Sequence, residues 1–194
     1  MSRRTERKAT DEDILPLVTL VNSAYRGESS KKGWTTEEHL LGGQRIDEGR
    51  VQEILGTANQ TILVWPAEHS TDESIKKRNG PKAGTLDACV LLEERNGYGY
   101  LGMLTVSPDL QNAGLGRLML QISEDFFRSR NLFYIRMTVI EGRNELISWY
   151  VRRGYQLTGE TQDFPMEDPR FGVPKQEHLQ FVVLEKSLPQ NPAL

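Results

Sequence analysis

Apolar residues recur along this chain with two periods, and the switches between them outline alternating helices and strands. Ile14, Leu17, Val18, Val21 and Ala24 fall at helical spacing behind Thr10-Asp11-Glu12-Asp13, a capping hydroxyl followed by acids. That combination predicts a helix over about 12–25. Leu115, Leu118, Met119, Ile122 and Phe126 form a second stripe and predict a helix over 115–129. Between them, β-branched and aromatic residues gather at 60–65, and segments 84–93 and 98–106 flank an Asn96-Gly97 turn, so three strands are expected. The nearly all-apolar run at 132–140 reads as a central strand covered on both faces. A short helix over 145–153 ends at Gly154, and two further strands are expected at 155–161 and 177–186. Segment 3–8 reads as a short edge strand and 25–30 as a loop; Thr35-Thr36-Glu37-Glu38 opens a short helix ended by Gly42-Gly43, and 47–55 forms another.

This order describes a single α/β (α+β) domain over 1–194, with a mixed, mostly antiparallel sheet of about six to seven strands and helices on both faces. One parallel step is expected where the 115–129 helix crosses between strands. Residues 66–83 carry only one strongly apolar residue, Ile75, and are expected to form a flexible loop between strands, with 187–194 a disordered tail. Among 194 residues, 24 Lys and Arg stand against 27 Asp and Glu, a formal net charge of -3. That balance argues against a general nucleic-acid binder, which needs a basic face. No stretch approaches the roughly 20 apolar residues of a membrane span, and the charged N-terminus lacks the apolar core of a secretory signal. One cysteine, Cys89, excludes an internal disulfide, and three histidines lack metal-ligand spacing. A cytoplasmic protein, monomeric or homodimeric, with no nucleic acid, membrane or metal partner, is the expectation.

The segment LGMLTVSPDLQNAGLGR, residues 101–117, carries the chemistry. A strand ends at Pro108, and glycines at 114 and 116 feed directly into the next helix. Glycines there let the backbone approach a ligand, and the unpaired amides of the first helical turn suit an anion, so a diphosphate is the natural ligand. A P-loop is excluded because Arg117 and Leu118 follow Gly116 where Lys and Ser/Thr are required, and a dinucleotide fingerprint because Met119 is too large for its third small position. The remaining pattern, Gln-x-x-Gly-x-Gly behind a strand ending Val-Ser-Pro, resembles the acetyl-CoA-binding motif of the GNAT N-acetyltransferase superfamily. A second stretch, Asn144-Glu145-Leu146-Ile147-Ser148-Trp149-Tyr150-Val151-Arg152-Arg153-Gly154-Tyr155, is similar to that family's last helix.

The resemblance implies a sheet splayed at its centre and acetyl-CoA (coenzyme A) as cofactor. Leu104, Thr105 and Val106 on the strand, then Gln111, Asn112, Ala113, Gly114, Leu115, Gly116 and Arg117, would hold it: amides on the diphosphate, Gln111 and Arg117 adding side-chain contacts, strand backbone along pantetheine as an added strand. Asn144 would also contact pantetheine. Tyr150 would be catalytic, its phenol protonating the departing thiolate, with an oxyanion donor near Leu104. Trp149 is expected only to pack. Cys89 lies in an apolar strand with no activating neighbour, so direct transfer without an acetyl-enzyme is expected. No glutamate lies within 98–106, which leaves the base unassigned among water, Tyr98 and Tyr100.

The acceptor implied is a small-molecule primary amine, against the alternatives of a protein Lys or N-terminus, or a non-catalytic CoA-binding module. Tyr25, Glu28 and Trp34 are the expected acceptor contacts. Residues 28–53 hold six acids against four bases, and acids beside aromatics suit a cationic amine. The Pro-rich loop near 163–176 reads as a cover.

Overall fold

The computed structural model describes residues 5–67 and 85–189. In chain order the strands are β1 Arg7–Lys8, β2 Leu41–Gly42, β3 Gln60–Pro66, β4 Leu86–Arg95, β5 Tyr98–Val106, β6 Tyr134–Ile140, β7 Gln156–Asp163, β8 Val173–Pro174 and β9 Gln180–Ser187. The helices are α1 Ile14–Tyr25, α2 Gly27–Ser30, α3 Glu48–Leu55, α4 Leu115–Arg128 and α5 Asn144–Val151. Seven of the described strands form one sheet in the order β1-β3-β4-β5-β6-β9-β7, while β2 and β8 pair separately. All pairings in the large sheet are antiparallel except β5 with β6.

Side-chain alternation explains why helices cover both faces. Leu63, Val90, Leu92, Leu101, Ile135 and Met137 point one way and pack with Met119, Leu120 and Phe127 of α4 and Tyr150 of α5. Ile62, Val64 and Cys89 point the other way, against Leu17, Val21 and Ala24 of α1 and Val51 and Ile54 of α3. Gly99 marks the closest approach of α4 to the sheet: a Cβ there would lie 2.3 Å from the Phe127 ring. Burying Phe127 against bare backbone locks the crossover helix onto β5 at its paired end.

That pairing is short. The β5–β6 register holds only Gly99 with Ile135 and Tyr100 with Arg136, and beyond it the two strands part. At the same level β5 bulges against β4: Met103 and Leu104 fall outside the register between Gly102–Leu91 and Thr105–Cys89. Met103 takes φ +50°, a left-handed value for a non-glycine residue. Splay and bulge together turn the C-terminal half of β5 away from β6 and leave a cleft at the sheet's centre.

Several expectations change. The helix expected from Thr35 does not form; residues 38–40 are a turn leading into β2, because Glu37 is pulled into the interior by two arginines. The loop at 25–30 contains the single helical turn α2. Strand β6 is not covered on both faces: Ile135, Met137 and Val139 are buried, whereas Tyr134 is exposed and Arg136 and Thr138 are half-buried. The expected tail at 187–194 begins anchored, with Leu188 buried and its N–H donating to Phe133 O at 2.7 Å. The expected loop at 66–83 lies mostly outside the described residues, but its ends are tied, Ala67 N–H donating to Thr85 O at 3.0 Å.

Candidate active site

Two cavities occupy the central cleft and meet at Leu104, Leu146 and Tyr150, which line both. The first, about 310 Å³, is a groove between the end of β5, the start of α4 and α5. Its walls include Leu104, Val106, Gln111, Asn112, Gly114, Gly116 and Arg117, all named from the sequence, together with Trp34, Trp149 and Arg153. Gly114 is the N-cap of α4 with φ +86°, no side chain caps the helix, and a Cβ there would meet nothing within 4 Å. The first-turn amides therefore face open space at the positive end of the α4 dipole.

Arginines reinforce that end. Arg117 is exposed at the groove, while Arg153 lies over the Trp149 ring at 3.6 Å and donates from Nη1 to Trp149 O at 2.7 Å. The Arg153 Nε is buried without a hydrogen-bond partner among the described residues. Burial first, then the charges of Arg152 and Arg117, push the Arg153 guanidinium below its ordinary pKa. Uncapped amides, unneutralised arginines and room beside Gly114 fit a diphosphate-bearing group.

Some sequence-named residues take other positions. The Gln111 side chain does not face the groove's anion end: its Oε1 accepts from Trp34 N–H at 2.9 Å, and its Nε2 donates to Thr35 Oγ1 at 2.8 Å and Val106 O at 3.2 Å. All its polar atoms are spent tying residues 34–35 to the β5 exit. Trp34 consequently lines this groove rather than the acceptor side, 6.3 Å from Trp149 centroid to centroid. Trp149, expected only to pack, lines the groove as well. Thr105 is buried on the opposite face of β5, its hydroxyl on Met103 O at 3.0 Å. The Ala113 and Leu115 side chains are outside the groove lining, and Leu115 packs against the core. Asn144 is exposed beside a separate shallow cavity with Asn112 and Ser148.

The second cavity, about 370 Å³, is polar and charged. Tyr25 spans part of it, its hydroxyl donating to Leu104 O at 2.7 Å. Deeper in, Glu37 is clamped: Arg26 Nη1 reaches Oε2 at 2.5 Å and Arg143 Nη1 reaches Oε1 at 2.7 Å, with all three side chains buried. Arg143 Nη2 also donates to Thr35 O at 2.6 Å. Burial works against the Glu37 charge, but Arg143, Arg45 and Arg26 outweigh it and hold the carboxyl below its usual range. Glu28 lies elsewhere, exposed and paired with Lys31, because α2 turns it outward.

A two-strand clasp lies beside this cavity and contributes Leu41 to its wall. Strands β2 and β8 pair Leu41 with Pro174 and Gly42 with Val173, and Lys175 Nζ bonds Glu38 Oε1 at 3.0 Å. Phe164 and Phe171, in T-shaped contact, line the cavity too. The Arg26–Glu37–Arg143 triad was missed in the sequence because its members lie 11 and 106 positions apart. Arg143 does stand immediately before the Asn144 helix motif.

Tyr150 stands at the junction, buried, and its hydroxyl has no hydrogen-bond partner among the described residues. Burial, then the neighbouring Tyr25, raises its pKa above the ordinary phenol value, so it keeps its proton. Tyr100 also lines the acceptor cavity, its hydroxyl 2.7 Å from Thr138 Oγ1, whereas Tyr98 lies outside it. Cys89 is fully buried with its thiol pushed up to about 12 by burial, so it supplies no thiolate.

Comparison with known proteins agrees with this geometry. The family model for the acetyltransferase (GNAT) family matches residues 34–155. Among curated proteins no sequence match reaches significance. Among solved structures, an N-acetyltransferase from Staphylococcus aureus Mu50 superposes with TM-score 0.65 at 11% identity, covering 96% of this chain and 98% of that one. A ribosomal-protein-alanine N-acetyltransferase from Brucella melitensis gives 0.63 at 18% identity, covering 95% and 99%. A Bacillus anthracis protein solved in complex with acetyl coenzyme A gives 0.51 at 12% identity, covering 71% and 68%.

Proposed function

The chain belongs to the GNAT family of acetyltransferases and uses acetyl-CoA, and we propose that it passes the acetyl group directly to the primary amine of a small molecule. The observation that carries this reading is the meeting of an anion-receptive groove and a polar cavity at Leu104 and Tyr150. The cavity's volume of about 370 Å³ favours a small acceptor.

Bound acetyl-CoA supplies an acetyl group activated as a thioester. The amides at the head of α4, from Gly114 to Arg117, would hold the diphosphate, with Arg117 and Arg153 adding charge. Where β5 has parted from β6, its backbone at Leu104 and Val106 would hold the pantetheine arm, beside carbonyls that already accept from the Tyr25 hydroxyl and Gln111 Nε2. Trp34, its backbone N–H held by Gln111, and Trp149 give the groove an aromatic wall. Tyr150 holds its proton at the junction, where it stabilises the departing sulfur. Glu37, with both oxygens held by arginines, is a weak base; the amine's proton leaves through water or by way of Tyr100.

A thiol-release assay against a panel of amines, amino acids, aminoglycosides and an N-terminal peptide array tests the reading. Turnover of a small amine above every peptide is expected. Peptide turnover far above any small amine overturns the choice of acceptor, and acetyl-CoA binding without turnover of any compound favours a non-catalytic module.

A further inference from the structure

Two arginines and two acids line the acceptor cavity, and of the acids only Glu37 is committed to arginines. Arg143 and Arg45 line it beside Glu37 and Asp163, and Arg26 stands directly behind Glu37. Both Glu37 oxygens are held by Arg26 and Arg143, so Arg45, although near enough to help hold the Glu37 charge, makes no direct ion pair with it. Arg45 is half-buried, its guanidinium has no hydrogen bond or ion pair among the described residues, and it lies over the Tyr25 ring, 5.9 Å from the centroid. The backbone at Arg45 is fixed, its N–H donating to Asn22 Oδ1 at 2.6 Å.

A further cavity of about 330 Å³ adjoins the acceptor cavity through Arg45, Tyr100, Gly102, Met103 and Phe171. Arg50, Arg95 and Arg170 line it, against Glu93 alone among acids. Each of those three already has a carboxylate partner: Glu53, Glu93 and Asp168 respectively. Arg45 is thus the one of these four guanidinium groups left unpaired, and it sits where the two cavities join. An unpaired, partly desolvated arginine with a planar fork of donors is a receptor for a planar or tetrahedral oxyanion.

We propose that the acceptor is an anionic amine, a compact molecule whose carboxylate or phosphate binds Arg45 while its amine reaches Leu104 and Tyr150. Tyr25 sets the separation, with its hydroxyl on Leu104 O at the reacting end and its ring face toward Arg45 at the other. The acceptor's two ends therefore lie about one tyrosine side chain apart. The proposal replaces the cationic acceptor suggested by the acids of residues 28–53. Five of those six acids are occupied: Glu28 by Lys31, Glu37 by two arginines, Glu38 by Lys175, Asp47 by the N-terminus of α3 and Glu53 by Arg50, while Glu48 is exposed and lines neither cavity.

This inference rests on the acetyltransfer reading above, and its test separates the two. Thiol release is measured with 4-aminobutanoate against 4-aminobutanamide, and with 2-aminoethyl phosphate against ethanolamine, in the native enzyme and in Arg45→Glu. The anionic member of at least one pair is expected to show kcat/KM about ten- to a hundredfold above its neutral partner. In Arg45→Glu that preference is expected to vanish or reverse, mainly through KM. The pair with the larger ratio distinguishes carboxylate from phosphate. Equal turnover of anionic and neutral partners overturns the inference and leaves acetyltransfer standing. An anionic preference that survives Arg45→Glu also overturns it. Thiol release with no amine of either the pairs or the wider panel overturns both.

Discussion

The two cavities that meet at Tyr150 are built in opposite ways. The cofactor groove is made of backbone: uncapped amides at the head of α4, the free edge of β5 past its bulge, and the empty space beside Gly114. The acceptor cavity is made of side chains brought from distant segments, Tyr25, Glu37, Arg45 and Arg143, beside a clasp of two short strands. A diphosphate can be held by main chain that any sequence with correctly placed glycines supplies. Selection of one amine needs charges at fixed points, and those depend on tertiary contacts. The groove therefore suits a ligand common to many enzymes, the cavity one particular to this protein.

The contrast is broken most severely at the buried triad. Arg143→Met leaves Glu37 with one partner in a buried site and is expected to cost about 3–5 kcal/mol of stability, read by denaturant unfolding; a loss below about 1 kcal/mol would mean the cavity does not depend on this pair. On the groove side, Gly114→Val puts a branched side chain at φ +86° into the space beside the amides. It is expected to weaken acetyl-CoA binding by about a hundredfold or more in a calorimetric titration, with far-UV circular dichroism nearly unchanged. Gly116→Ala provides the control, because its Cβ would make only ordinary contacts at 3.6 Å with Trp149 and Val106.

At the junction, Tyr150→Phe removes the phenolic proton without changing the packing of α5. A fall in kcat of about ten- to a hundredfold, larger than the change in KM for acetyl-CoA, is expected. Identical pH–rate profiles for the two enzymes would remove Tyr150 from the chemistry. The smallest effect is on acid stability. Glu37 is held below its usual value of 4.5, and Asp13 below its usual 3.8; burial opposes both charges, but arginine partners prevail, with Thr10 also holding Asp13. A carboxyl depressed in the folded state stabilises the fold above its unfolded pKa and loses that contribution as pH falls through the folded value. Unfolding free energy is expected to be level from pH 7 to about 5 and to decline below about 4; a rise on acidification would contradict the triad's charge state.

The same division explains what could be read from sequence. Strand and helix positions followed from periodicity, and the groove followed from residues 101–117 and 144–155 because its parts are contiguous in the chain. On the acceptor side Tyr25, Tyr100 and the loop at 163–176 were legible, whereas the arginines were not. Glu37 reads as a helix-capping acid in Thr-Thr-Glu-Glu, yet its partners at 26 and 143 draw it inside and stop that helix from forming. Gln111 reads as a cofactor contact, but its amide is consumed by residues 34, 35 and 106, and Trp34 moves with it to the cofactor side. Local charge counting pointed to a cationic acceptor because it counted acids without their partners.

Everything turns on whether the groove and the cavity hold their two ligands at once and exchange an acetyl group across Leu104 and Tyr150. Initial velocities measured while acetyl-CoA and the best amine of the panel are both varied test this directly. Intersecting reciprocal plots are the result predicted, because both ligands must be bound before thiol is released. Parallel plots, with labelled acetyl appearing on the protein when amine is withheld, would contradict it.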